Sequence, residues 1–191
     1  MNNNICFEKI DNNYLHEIYE LRLSKYFPPD ELKPLDSILN MISRNCYEAL
    51  IIKCNDKTIG LSFMTLVPNT DFVLLDYLAI YHEYRNKSFG SKTLSALKEY
   101  YKDKYIFIES EDPEYISDTT TALSRVGFYR RNNCIDTGVL SEIWTVHYIN
   151  FCLSNKDIPS TLECKHALEL IYDVMVTKQE LKDKFVKIYL K

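Results

Sequence analysis

At 191 residues, with 46% hydrophobic and 26% charged side chains, the chain is long enough to bury a core as one domain, or one domain with an appendage, and too apolar to stay disordered. Its formal charge of −4 argues against a nucleic-acid binder, which usually shows a basic stripe to neutralise phosphates, and is compatible with a cationic substrate. Six cysteines without a C-x-x-C and four histidines without an H-x-x-x-H are scattered along it, so reduced thiols and no metal site are expected. The opening MNNNICFEKI has neither a basic n-region nor an apolar h-region, and no apolar run approaches membrane-spanning length. A cytoplasmic protein that does not associate with membranes is predicted.

Residues 5–10 read as a short strand, after which Asp11 or Asn12 caps a helix whose apolar Leu15, Ile18, Leu21 and Leu23 fall mostly on one side. Tyr26-Phe27-Pro28-Pro29 ends that helix, and Leu35, Ile38, Leu39 and Ile42 mark a second one running to about Arg44. The turn between them offers Tyr26 and Phe27 either as the wall of a substrate pocket or as ordinary core aromatics. From Tyr47 the runs ALIIKC and TIGLSFMTLV, separated by Asn55-Asp56-Lys57, form a β-hairpin. Pro68-Asn69-Thr70-Asp71 makes the next turn and residues 72–80 a third long strand, along which alternation places Asp76 on the face of Leu74, Leu78 and Ile80.

A short basic turn then leads into a helix over about 89–103, with Leu94, Leu97 and Tyr101 on one face. Residues 105–109 form a buried strand, parallel to the preceding one because the intervening helix is a crossover. Residues 117–131 form another helix, opened by Ser117 or Asp118, and strands near 134–142 and 144–153 make a final hairpin. In the tail, Ser160-x-x-Glu163 and Thr177-x-x-Glu180 fit the capping-box pattern. They predict one helix lined by Leu168, Ile171, Tyr172 and Met175 and a second lined by Leu181, Phe185 and Ile188. Each has an apolar face that must pack on this chain or on a second copy, so a homodimer is among the arrangements allowed.

The strand, turn and helix at 75–101 have a physical use. The free N–H groups and partial positive charge of a helix's first turn, preceded by small residues and cations, can hold a phosphate. The element order β-α-α-β-β-β-α-β-α-β-β, with Tyr77-Leu78-Ala79-Ile80 and Arg85-Asn86-Lys87-Ser88-Phe89-Gly90-Ser91, resembles the GNAT superfamily of acetyl-CoA-dependent N-acetyltransferases. The family's pyrophosphate loop is R/Q-x-x-G-x-G/A; Arg85 and Gly90 match it and Ser88 replaces the first glycine. Arg125-Val126-Gly127-Phe128-Tyr129 is similar to the family's R-x-x-F-Y helix. The resemblance spans about 5–153 and implies an α/β (α+β) fold with a mixed, mostly antiparallel central sheet flanked by helices. Residues 1–153 would form that domain and 154–191 a C-terminal helical extension, packed on it or at a dimer interface.

The same resemblance implies acetyl-CoA as acyl donor, no metal, and a primary amine, small-molecule or peptide, as acceptor. The central strands would splay after Leu78 to Ile80, freeing the backbone of Leu78, Ala79 and Ile80 for pantetheine. The Leu78 N–H would then meet the oxyanion, a contact whose loss costs about 3–4 kcal/mol of barrier. Backbone amides of Arg85, Asn86, Lys87, Ser88, Phe89, Gly90 and Ser91 would hold the pyrophosphate, with Arg85 and Lys87 adding charge. Ser88 keeps the amide but resists positive φ by about 1–2 kcal/mol. Tyr129 matches the tyrosine that protonates the leaving thiolate. Asp76 and Glu109, near the ends of the two central strands, would draw in the amine and accept its proton, directly or through water. Direct acetyl transfer is therefore expected. Ser88 keeps open a non-catalytic acyl-CoA-binding or regulatory module, and the tail helices a protein-interaction scaffold.

Overall fold

The computed structural model describes residues 4–29 and 31–191. Strands β1 (Ile5–Lys9), β2 (Tyr47–Cys54), β3 (Lys57–Leu66), β4 (Phe72–Ile80), β5 (Tyr105–Glu111), β6 (Ile135–Ile143), β7 (Val146–Leu153) and β8 (Val186–Leu190) form one sheet. Their order is β1-β2-β3-β4-β5-β7-β6-β8. Neighbours are antiparallel throughout except β4 and β5, which run parallel because a helical crossover joins them. The β2–β3 turn places Asn55 and Asp56 at φ 47° and 62°, the left-handed pair that closes a tight hairpin.

On one face lie α1 (Asn12–Ile18), a π-helical turn (Tyr19–Leu23), α2 (Ser24–Tyr26) and α3 (Leu35–Ser43). They bury Leu15, Ile18, Leu23, Ile38 and Met41 against Phe63, Tyr77 and Ala79 of the sheet. The opposite face is covered by α4 (Phe89–Tyr100) and α5 (Thr119–Arg131), with Leu94, Leu97, Val126 and Tyr129 packed on Val73, Leu75, Ile106, Ile108 and Phe151. α6 (Thr161–Met175) covers Leu74, Phe107 and Val139, and its end is tied to the α3 end by Arg44 Nη2 donating to the Val174 carbonyl at 2.9 Å. Asp11 caps α1 by accepting from the Tyr14 N–H at 2.8 Å, and Asp118 caps α5 by accepting from the Thr121 N–H at 3.1 Å. Ser160 and Glu163 make the reciprocal capping box of α6.

Four local expectations are corrected. The π-helical turn inserts an extra residue into the first helix, so Leu23 takes the buried position and Leu21 points outward, 51% exposed. α4 stops at Tyr100 rather than near Asp103. The predicted last helix is instead α7 (Gln179–Phe185) followed by β8, which places Ile188 in a strand paired with Ser141; Thr177 and Glu180 form no box, since the N-cap is Lys178 without a side-chain bond. The fourth correction bears on the site. The β3–β4 register jumps from Met64↔Leu75 to Phe63↔Tyr77, so Asp76 is the extra residue of a β-bulge. A bulge interrupts the alternation. Asp76 therefore shares the α1–α3 side with Tyr77, while Leu78 and Ile80 face the other way.

Candidate active site

Pairing between β4 and β5 covers Phe72–Leu75 against Tyr105–Ile108 and then stops, although both strands continue. Asp76 and Glu109 are the first residues beyond that seam. Past it the strands diverge, and a cleft of about 360 Å³ opens whose lining includes Phe27, Asp76, Leu78, Arg85, Phe128 and Tyr129. The Tyr81 N–H donates to the Ile59 carbonyl at 2.9 Å, which fixes the hydrogen-bonding phase of the β3–β4 ladder. Antiparallel pairs alternate between bonded and non-bonded. Leu78 and Ile80, opposite Ser62 and Gly60, are accordingly the non-bonded partners, and their backbone groups point away from β3 into the gap. The Ile80 carbonyl accepts from Arg85 Nε at 3.0 Å.

The turn before α4 has Asn86 at φ 59° and Ser88 at φ 60°, with Ser88 (ψ 12°) as N-cap and no side-chain bond. The left-handed conformation that glycine would adopt freely is thus imposed on serine. The first amides of α4 follow this turn, and Gly90 among them lines the cleft, where a helix terminus favours anions. Gly90 is needed for a different reason: a Cβ there would lie 3.2 Å from the Phe128 ring, so its absence lets α4 seat against α5. Arg85 lies with its guanidinium 5.4 Å from the Tyr26 ring centroid, and Tyr26 stacks on His82 at 5.1 Å and accepts from the His82 N–H at 3.2 Å. Tyr26 therefore shapes the wall beside the basic turn. Lys87 Nζ is engaged with the Glu83 carbonyl at 2.8 Å.

On the other side of the cleft the carboxylates differ sharply. Asp76 accepts from Lys33 Nζ at 2.7 Å and from the Tyr47 hydroxyl. Glu109 accepts from the Tyr172 hydroxyl at 2.7 Å and from Ser141 Oγ at 3.2 Å, and among the described residues no cation pairs with it. Burial, reinforced by the Asp76 charge, pushes the Glu109 carboxyl up to about 7 against the opposing pull of Tyr172, Lys33 and Ser141. Burial also raises the Tyr148 phenol, as do the surrounding Glu109, Glu31, Glu111 and Asp76. Tyr77 donates to the Glu31 carbonyl and accepts from the Lys33 N–H, both at 2.9 Å, while Phe27 meets its ring edge-on at 4.8 Å. Tyr129, 8% exposed, reaches the cleft from α5, and burial pushes its phenol up to about 12 despite Arg125 nearby. Arg125 itself is paired with Glu111 at 2.6 Å.

The structure thus brings Asp76, Leu78, Ala79, Ile80, Arg85, Gly90, Tyr129, Tyr26 and Phe27 to one cleft, whereas Glu109, the first β5 residue past the seam, and Asn86, Lys87, Ser88, Phe89 and Ser91 of the turn are not among its lining residues. Sequence reasoning did not find Lys33, Tyr47, Tyr148 or the role of Tyr172. Tyr172 had been counted as part of an apolar stripe, yet a buried phenol needs a hydrogen-bond partner, and that need was the available signal.

The sequence profile described as the Acetyltransferase (GNAT) family matches residues 15–130. Among solved structures, the fold is similar to a protein of Bacteroides thetaiotaomicron assigned to the GNAT acetyltransferases, with TM-score 0.68 and 22% identity over 91% of this chain and 99% of that one. It is also similar to the spermidine N-acetyltransferase of Vibrio cholerae, solved with CoA and spermine (TM-score 0.59, 12% identity, 78% and 95% covered). A third is the ribosomal-protein-S18-alanine N-acetyltransferase of Escherichia coli (TM-score 0.57, 12% identity, 81% and 96% covered). No curated protein shows a significant match to the sequence.

Proposed function

The chain belongs to the GNAT family of acetyltransferases, and on that premise we propose that it transfers the acetyl group of acetyl-CoA directly to a primary amine. The observation that carries this reading is the end of the β4–β5 seam, beyond which Leu78 and Tyr129 line one opening and Glu109 is the first β5 residue past the last pair. An acyl-CoA fits the residues present: the gap-facing backbone of Leu78 and Ile80 suits the amides of pantetheine, and the N-terminus of α4, with Arg85, suits a pyrophosphate. When bound, the thioester supplies an activated acyl group.

Four tasks then fall to this chain. The Leu78 N–H donates to the oxygen that gains charge during attack. Glu109, poised near neutrality, accepts the proton that an ammonium must lose to become a nucleophile. Asp76 is already saturated by Lys33 and Tyr47, so it sets the local charge rather than carrying the proton. Tyr129 stays protonated across the physiological range and can donate to the departing thiolate. Two of the proteins named above act on spermidine and on an alanine of ribosomal protein S18, and a cationic amine suits the carboxylates near this cleft.

Amine-dependent release of CoA thiol, measured across small amines and peptides with mass spectrometry of the products, is the test. The expected result is turnover that rises as pH increases through about 7. A panel that yields no acetylated product despite acetyl-CoA binding would overturn the reading.

A further inference from the structure

We propose that Lys33 is itself an acceptor, so that in the absence of an external amine the protein acetylates its own Lys33 Nζ. This rests on the acetyl-transfer reading of the cleft. Lys33 lies between α2 and α3 in a loop stiffened by Pro28, Pro29 and Pro34. Both sides of its peptide are clamped: the N–H donates to the Tyr77 hydroxyl at 2.9 Å, and the carbonyl accepts from the Tyr19 hydroxyl at 3.0 Å. The side chain crosses the Tyr77 ring, with Nζ 5.1 Å from its centroid, and ends 2.7 Å from Asp76.

Asp76 is the first β4 residue beyond the seam and lies two residues, about 7 Å of strand, before Leu78. A primary ammonium on an unbranched stem is therefore held beside Asp76, a residue that lines the opening, and within the field of Glu109. The side chain keeps 27% of its surface exposed, so it is held there without being sealed off.

The step balances with acetyl-CoA as the sole co-reactant. The Lys33 ammonium gives one proton to Glu109, directly or through water, and the nitrogen forms a bond to the acyl carbon. The carbon–sulfur bond breaks, the thiolate takes a proton from Tyr129, the nitrogen's second proton returns to Tyr129 through water, and Glu109 releases the first to solvent. Acetyl-lysine, free CoA thiol and one released proton result. The modified side chain is neutral, so Asp76 would keep Tyr47 as its partner and lose its cation.

Peptide mass spectrometry of the full chain incubated with acetyl-CoA and no amine tests this, with the exposed Lys102 as an internal measure of chemical labelling. Lys33 is expected to gain one acetyl group about a hundredfold faster than Lys102, with a rate constant independent of protein concentration, and Tyr129→Phe to slow Lys33 by a similar factor. Labelling no faster than at Lys102, a rate constant that scales with protein concentration, or indifference to Tyr129→Phe would overturn the proposal. The first two comparisons use the unaltered chain and stand whether or not the variant folds. Turnover of external amines with Lys33 unlabelled removes self-acetylation and leaves the acetyl-transfer reading intact. Loss of both removes both.

Discussion

The proton-accepting role proposed for Glu109 would place function and stability in opposition at a single carboxyl group. Its pKa in the folded chain lies near 7, above the ordinary value of 4.5, so the folded state binds an extra proton between those limits. Stability from this group is accordingly full below about 4.5 and declines as pH rises through about 7. Glu109→Gln keeps an acceptor for Tyr172 and Ser141 while removing the charge. Denaturant unfolding should show the variant more stable than the parent by up to about 3 kcal/mol near pH 8, with the difference closing below pH ~4.5. The same variant should lose the increase of kcat/KM through pH 7. A variant that is less stable at alkaline pH would show that the carboxylate is better accommodated than its surroundings imply.

At the scale of elements, the basic turn holds a left-handed strain. Ser88 holds φ 60° without a compensating side-chain bond. Ser88→Gly should therefore raise unfolding free energy by up to about 1 kcal/mol, the relief of left-handed strain less the added entropy of glycine. Because glycine keeps the backbone amide and reaches the same φ, acetyl-CoA affinity measured by calorimetry should stay within about twofold. The turn was legible in the sequence because its signals are local: Arg85, Gly90 and the strand and helix around them. The same holds for Asp11, Asp118 and the Ser160 box, each a cap that acts within one turn of helix. What escaped was phase. The π-helical turn at Tyr19–Leu23 and the bulge at Asp76 each add one residue to a regular pattern, and tertiary packing decides where. β8 was missed for another reason: Val186, Ile188 and Leu190 do alternate with Lys187 and Tyr189, but the run is short and directly follows helical spacing.

Over the whole molecule, the tail is part of the core. Cys164, Ala167, Leu168 and Ile171 of α6 are fully buried against Leu74, Phe107 and Val139, and Tyr172 supplies a hydrogen bond to Glu109. A chain ending at residue 153 would expose that surface and leave Glu109 short of a partner. It is expected to lose the cooperative thermal transition of the parent, as followed by circular dichroism. The sheet order follows from the same long-range contacts, which is why the local patterns in the sequence suggest two further helices but not the strand that follows the second.

The short β4–β5 seam has a consequence for solvent. The Leu78 and Ile80 amides, turned from β3 into the gap, should exchange with deuterium readily, while those of Tyr77 and Ala79, locked to β3, stay protected. Added acetyl-CoA should slow the first pair and leave the second unchanged. The donor would then serve the protein as a strand that its own chain does not provide, completing the sheet only for as long as the reaction lasts.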